Sequence, residues 1–148
     1  MQARMKNPAF LLPDTMKAMQ AANADPEKLV PAKILGRVHL RASQLNGCAV
    51  CLDMHAKLSK KDGETEQRMF TVAGWRDAPY FTDAERAALA LTEAVTQIAG
   101  GVPDDVWADA ARHFDEPQLA ALLVSISMVN VWNRLNIATR QIAGAVSW

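Results

Sequence analysis

Cys48 and Cys51 are the only cysteines in the chain, and His55 follows them in Cys48-Ala49-Val50-Cys51-Leu52-Asp53-Met54-His55. On a helix, Cys48 and Cys51 stand at i,i+3 and Cys51 and His55 at i,i+4, so the three side chains share one face. Two thiols so placed can cycle between dithiol and disulfide, and the imidazole can take the Cys51 proton or hold the thiolate as an ion pair. Asn46 reads as an N-cap with Gly47 in the first turn. That places Cys48 where free amide N–H groups and the positive end of the helix dipole favour a thiolate. Cys51 lies one turn deeper beside His55, and on spacing alone either sulfur could attack. Two packed core cysteines would leave the alignment with a histidine unexplained. A closed zinc site wants four ligands, and only His39 or Asp53 could complete one here. A thioredoxin-like setting for C-x-x-C expects a preceding strand and βαβ patterning, and neither is present.

The elements that must position this face read as helices. Helical periodicity runs almost throughout, with no convincing alternating strand bounded by hairpin turns, so the expected fold is all-α. A short helix is expected from Pro13 through Ala22 and a longer one over about Pro26 to Leu45, with Pro31 early in it and Gly36 inside. The motif helix should run from about Gly47 to Lys60 and stop near Gly63. Another should span Glu64 to Ala73, ending at Gly74. Thr82 with Glu85 forms a capping box for a helix to Ile98, whose apolar face is Ala84, Ala87, Ala88, Leu91, Val95 and Ile98. Gly100-Gly101 breaks it, Pro103 with Asp104 and Asp105 starts a short helix, and Asp115-Glu116-Pro117 starts the last. That last helix is apolar nearly all round from Leu119 to Trp132 and should be central. No repeat, low-complexity tract or linker divides the chain, so residues 1–148 are expected to form a single domain.

At 148 residues with half of them hydrophobic, the chain is long enough for one core, alone or shared with a partner subunit. Lys plus Arg equals Asp plus Glu at 16 each, which gives no reason to expect nucleic acid or an anionic membrane. A small metabolite, a peroxide or another protein is the expected partner. Ala9-Phe10-Leu11-Leu12 is too short for a signal-peptide core before Pro13, and Leu119 to Val124 is far short of a membrane span. A soluble, cytoplasmic protein with cysteines in a reducing compartment is expected.

The run Arg41-Ala42-Ser43-Gln44-Leu45-Asn46-Gly47-Cys48-Ala49-Val50-Cys51-Leu52-Asp53-Met54-His55 resembles the core signature of the alkylhydroperoxidase D-like branch of the carboxymuconolactone decarboxylase family. The likeness extends to Gly63-Glu64-Thr65-Glu66-Gln67-Arg68, Ala73-Gly74-Trp75-Arg76, Glu85 to Leu89 with Thr92-Glu93-Ala94, and Asn130 to Leu135. It covers about residues 25–140. The resemblance implies an all-α helical bundle that forms homotrimers, often homohexamers, and a hydroperoxide reductase that needs no metal or organic cofactor. By matched position it implies that Cys51 attacks the hydroperoxide and Cys48 resolves the sulfenic acid to a disulfide. His55 would belong to a proton relay, and an external dithiol or disulfide carrier would restore the thiols. A buried Cys51 could meet a small peroxide while an exposed Cys48 exchanged with the carrier.

The family's relay usually includes a glutamate twelve residues before the first cysteine, and that position here is Gly36. Glycine inside a helix costs about 1 kcal/mol relative to alanine, so close packing or a bend is expected there. His39, three residues on, is placed either to replace the carboxylate and pass protons to His55 through water or to be a half-buried histidine bonded to a backbone carbonyl. Trp132, Asn133 and Arg134 read as structural or subunit-contact groups, Glu93 as a solvent-facing or interface carboxylate, and His113 as a surface residue. Alternatives to a peroxidase are a dithiol–disulfide oxidoreductase or redox sensor, a muconolactone decarboxylase-type lyase, and a non-catalytic helical oligomer. The two aligned thiols have no use in decarboxylation.

Overall fold

A computed structural model describes residues 2–145, and among these the chain is helical with no strand. The helices are α1 (Pro8–Leu11), α2 (Pro13–Ala21), α3 (Ala24–Leu29), α4 (Ala32–Asn46), α5 (Ala49–Lys61), α6 (Glu66–Thr71), α7 (Asp83–Thr96), α8 (Asp104–His113) and α9 (Glu116–Thr139). Single 3-10 turns follow α6 at Val72–Gly74 and α7 at Ile98–Gly100. The expected all-α fold is present, and no described helix is long and apolar enough to cross a membrane.

One expected element is divided and the start of another is shifted. The stretch from Pro26 to Leu45 breaks at Pro31, where Val30 is extended at φ −118° and ψ 133°. The proline ring crowds the residue before it and drives it out of the helical region, so α3 and α4 are separate. Between α4 and α5, Asn46 ends one helix rather than capping the next. Gly47 adopts φ 71°, a left-handed C-cap that glycine enters without steric cost, and the chain reverses there. The N-cap of α5 is Cys48 itself, whose sulfur accepts the Cys51 amide N–H at 3.4 Å. The capping box at Thr82 and Glu85 forms as expected, and Asp115 with Gln118 makes a second one at the start of α9.

The reversal at Gly47 lays α5 antiparallel against α4. Gly36 is the close-approach point of that pair, because a Cβ built on it would lie 2.8 Å from Ser59 Oγ on α5. α4 also packs on α7 and α9, which places it inside the bundle. Its Leu35 and Val38 join Leu91, Leu122 and Ile126 in one apolar cluster, and its Leu40 joins Met69, Val72, Trp75, Phe81 and Leu89 in another. α9 contacts α3, α4, α5, α7 and α8, but it is central on one side only: Val124 and Val131 on its outer face are 42% and 38% exposed.

A buried ion cluster locks the same helix from the other end. Arg37 of α4 pairs with Glu64 before α6 and with Glu85 of α7 at 2.8 Å, and Arg68 of α6 pairs with Glu64 at 3.1 Å and Glu85 at 2.8 Å. Charges this deep persist only when paired, so the cluster fixes the register of α4, α6 and α7.

Candidate functional site

The thiols lie where the N-terminus of α5 meets the last turns of α9. Cys51 is 0% exposed and Cys48 1%, so the expectation of an exposed Cys48 is corrected. As an N-cap, Cys48 sits in the corner between α4 and α5 instead of on a free first turn. It nonetheless lines a cleft of about 400 Å³ with Gly47, Ala49, Val50, Asn136, Ile137, Arg140 and Gln141, whereas Cys51 does not reach that cleft.

Both sulfurs are free thiols within mutual hydrogen-bonding reach. Cys51 is lowered to about 6, first because Cys48 hydrogen-bonds to it; Asn136 and Asn133 help, and burial opposes. Asn136 Nδ2–H donates to Cys51 Sγ at 3.4 Å. Cys48 is pushed upward by the same bond to Cys51 and by burial, against the pull of the backbone amide it caps. The dipole argument from the sequence favoured Cys48. Here its sulfur does accept an amide, but Cys51 gathers donors from Cys48 and α9, and these outweigh one amide.

His55 is half-buried one turn beyond Cys51, and no hydrogen bond joins the two among the described residues. Burial, and secondarily the charge of His39, hold its pKa well below the usual imidazole value. Burial therefore favours the neutral imidazole over its charged form. His55 can act as a base, not as a fixed positive charge.

His39 comes from α4 and its ring packs directly on His55, with centroids 4.7 Å apart and planes at 39°. Its Nε2 lies 2.7 Å from the buried Ser125 Oγ of α9. Burial lowers its pKa to about 4. His39 and His55 thus meet as two neutral rings in contact. Gly36 is one turn further along, against Ser59, so the seam between α4 and α5 runs Gly36–Ser59 and then His39–His55 toward the thiols.

An amide network that the sequence did not single out supports the sulfurs. Asn133, fully buried and read as structural, donates to Ser43 Oγ at 3.1 Å and accepts from Asn46 Nδ2 at 2.8 Å. Asn46 also donates to Asn130 Oδ1 at 2.8 Å. Asn130, Asn133 and Asn136 recur at every third position of α9, a spacing visible in the sequence that places amides on one face. Glu93 stays outside the site: it accepts from Arg41 Nε at 2.7 Å and Trp75 Nε1 at 2.8 Å and pairs with Arg76 at 2.7 Å. Arg134 is exposed and donates to Asn130 Oδ1 at 3.1 Å, at the outer edge of that network, and His113 stands 4.0 Å from Asp109. Among the described residues no three His, Cys, Asp or Glu side chains converge on a metal position.

An all-α bundle that encloses a hydrogen-bonded dithiol beside two imidazoles defines a recognisable class. The family model described as carboxymuconolactone decarboxylase family matches residues 12–94, and the chain belongs to that family. It is 37% identical over 134 residues to the uncharacterized protein YdfG of Bacillus subtilis, covering 86% of this chain and 88% of that one. It is 33% identical over 102 residues to the uncharacterized protein YnjA of Escherichia coli, covering 68% of this chain and 56% of that one. Among solved structures, an Agrobacterium tumefaciens protein of unknown function, for which a role as antioxidant defence protein AhpD has been suggested, superposes with TM-score 0.91 at 35% identity, covering 98% of this chain and 100% of that one. The debrominase Bmp8 shares the fold alone, with TM-score 0.76 at 21% identity, covering 95% of this chain and 74% of that one.

Proposed function

We propose that the protein is a thiol-dependent hydroperoxide reductase with Cys51 as the peroxidatic and Cys48 as the resolving sulfur. The observation that carries this is the Asn136 Nδ2–H that donates to Cys51 Sγ at 3.4 Å, beside a Cys48 sulfur held at the Cys51 amide at 3.4 Å, and both agree with a Cys51 pKa lowered to about 6. The Cys51 thiolate attacks one peroxide oxygen, the O–O bond breaks, and the alkoxide leaves and takes a proton to become the alcohol. Cys48 then attacks the Cys51 sulfenic acid, forming the S–S bond and releasing water. The proton Cys48 gives up completes the departing water, while His55, one turn from Cys51, belongs to the proton relay and His39, pinned to Ser125, holds its ring. Two electrons leave the thiols and two reduce the peroxide. The enclosure of Cys51 favours a small peroxide.

An external thiol must restore the dithiol, so a reducing compartment such as the cytoplasm is the setting this chemistry needs. Homotrimeric or hexameric assembly belongs to the same proposal, and Val124 and Val131 on α9 offer apolar surface for it. A second reading, dithiol–disulfide exchange without peroxide, is favoured by one observation: Cys48 borders the cleft and Cys51 does not. A single-turnover reaction of reduced protein with hydrogen peroxide and, in parallel, cumene hydroperoxide, read by intact mass alongside Cys48→Ser and Cys51→Ser, separates them. Rapid loss of two hydrogens, with sulfenic acid trapped on Cys51 in Cys48→Ser, is expected. Oxidation no faster than that of free cysteine would leave disulfide exchange as the function.

A further inference from the structure

The cleft over Cys48 has one charged lining residue, Arg140, and no acidic one. Apolar Ala49, Val50 and Ile137 line it as well, and the Gln141 side-chain amide is engaged by Met5 O and Thr139 Oγ1. Arg140 differs from every other arginine of the chain. Arg4, Arg37, Arg41, Arg68, Arg76, Arg86, Arg112 and Arg134 each hydrogen-bond or pair through the guanidinium. The exposed Arg140 side chain does neither among the described residues.

Its backbone is also unusual, because Arg140 is the one non-glycine residue with positive φ, at 53°, among those described. It closes α9 in the left-handed conformation that glycine adopts freely and that is strained for other residues. Glycine would cap α9 better, and it would remove the cation from the cleft. The chain as a whole has formal net charge zero, so it has no overall field to attract or repel a charged ligand.

We propose that this cleft binds the reductant, and that it selects a low-molecular-weight thiol carrying a carboxylate, which pairs with Arg140 while its sulfur meets Cys48. The inference rests on the dithiol–disulfide cycle proposed above. The incoming thiolate attacks Cys48 Sγ, the Cys48–Cys51 bond breaks, and the electron pair leaves on Cys51. Exchange is fastest when the departing sulfur has the lower pKa, and Cys51 is that sulfur. In-line displacement also wants the leaving sulfur on the far side of the one attacked, which agrees with Cys48 lining the cleft and Cys51 lying beyond it. A second thiolate attacks the external sulfur of the mixed disulfide, releasing the small disulfide and leaving Cys48 to take up a proton. Two external thiols lose two electrons and one protein disulfide gains them.

The test oxidises the protein with diamide, so that no peroxide chemistry is required, and follows reduction by intact mass. The reductants are 3-mercaptopropionate, 2-mercaptoethanol and cysteamine, each at matched thiolate concentration. Arg140→Gly is compared with the native chain, so the intrinsic reactivities of the probes cancel. In the variant, 3-mercaptopropionate is expected to slow about fivefold, the order of one solvent-facing ion pair, while 2-mercaptoethanol stays within twofold and cysteamine does not slow. High salt should erase the native preference. An equal effect on all three thiols, or none, overturns the cleft assignment and leaves the redox pair standing. Failure of diamide to form the disulfide overturns both.

Discussion

Replacing Asn136 with leucine, close in size but without an N–H, removes one of the donors on Cys51. A hydrogen bond to a charged group contributes about 1.5–3 kcal/mol, and a 3.4 Å bond to sulfur belongs at the low end. Since about 1.4 kcal/mol corresponds to one pKa unit, Cys51 should move from about 6 to roughly 7. The rate at neutral pH is then a poor diagnostic. Raising the pKa lowers the thiolate fraction at pH 7 from about nine-tenths to about one-half, but with a Brønsted slope of about 0.45 each thiolate becomes about threefold more nucleophilic. The two effects nearly cancel there. At pH 5.5 the variant should react about threefold more slowly than the native protein, above pH 8 about threefold faster, and the profiles should cross near about pH 6.5. Thiolate absorbance at 240 nm gives the pKa directly, and iodoacetamide labelling across pH, with the site located by mass, gives the rates. A Cys51 pKa unchanged within about 0.3 would refute the reasoning and assign the depression to Cys48 and Asn133.

Other consequences are open to measurement. His39 is neutral when folded, with its pKa at about 4, but protonates near 6.5 when unfolded. The unfolded chain therefore binds more protons between those values, and stability should fall as pH drops through this window, by at most about 3 kcal/mol; His39→Gln should flatten that part of a urea-midpoint against pH curve. Gly36→Ala should gain helix propensity of about 1 kcal/mol yet lose part of it to contact with Ser59 Oγ. In a Ser59→Ala background, where only a 3.8 Å Cβ contact remains, the full gain should appear, and additivity in the thermal midpoints would contradict this packing. Arg37→Met should cost about 3 kcal/mol in chemical denaturation, because Glu64 and Glu85 stay buried with only Arg68 to balance them.

What the sequence disclosed about this site follows the range of the interactions involved. The face shared by Cys48, Cys51 and His55 is a matter of helical spacing, and so is the face of His39, which meets His55 across α4 and α5. α5 starts two residues later than its spacing suggests, because a left-handed Gly47 and a sulfur cap look the same in sequence as an Asn46 cap with glycine in the first turn. The proline at 31 was readable as a helix break, but the continuing apolar pattern around it concealed the break. Asn136 was missed for a different reason: it lies 85 residues from Cys51 and reaches it only through the packing of α9 on α5. Gly36 signalled close packing, but its partner Ser59 becomes visible only once the two helices run antiparallel.

The sulfur cap on α5 and the Asn136 bond share one further property, which concerns reduction potential. Both interactions are made by a thiol or thiolate more favourably than by a disulfide sulfur, which carries no charge and accepts weakly. Whatever they contribute is lost when Cys48 and Cys51 join, so they make the couple more oxidising, by about 30 mV for each 1.4 kcal/mol. A helix that uses its own redox sulfur as a cap is thereby biased toward the dithiol state. The disulfide proposed between Cys48 and Cys51 would be one that thiols readily reopen, suited to repeated turnover and ill suited to serve as a permanent crosslink.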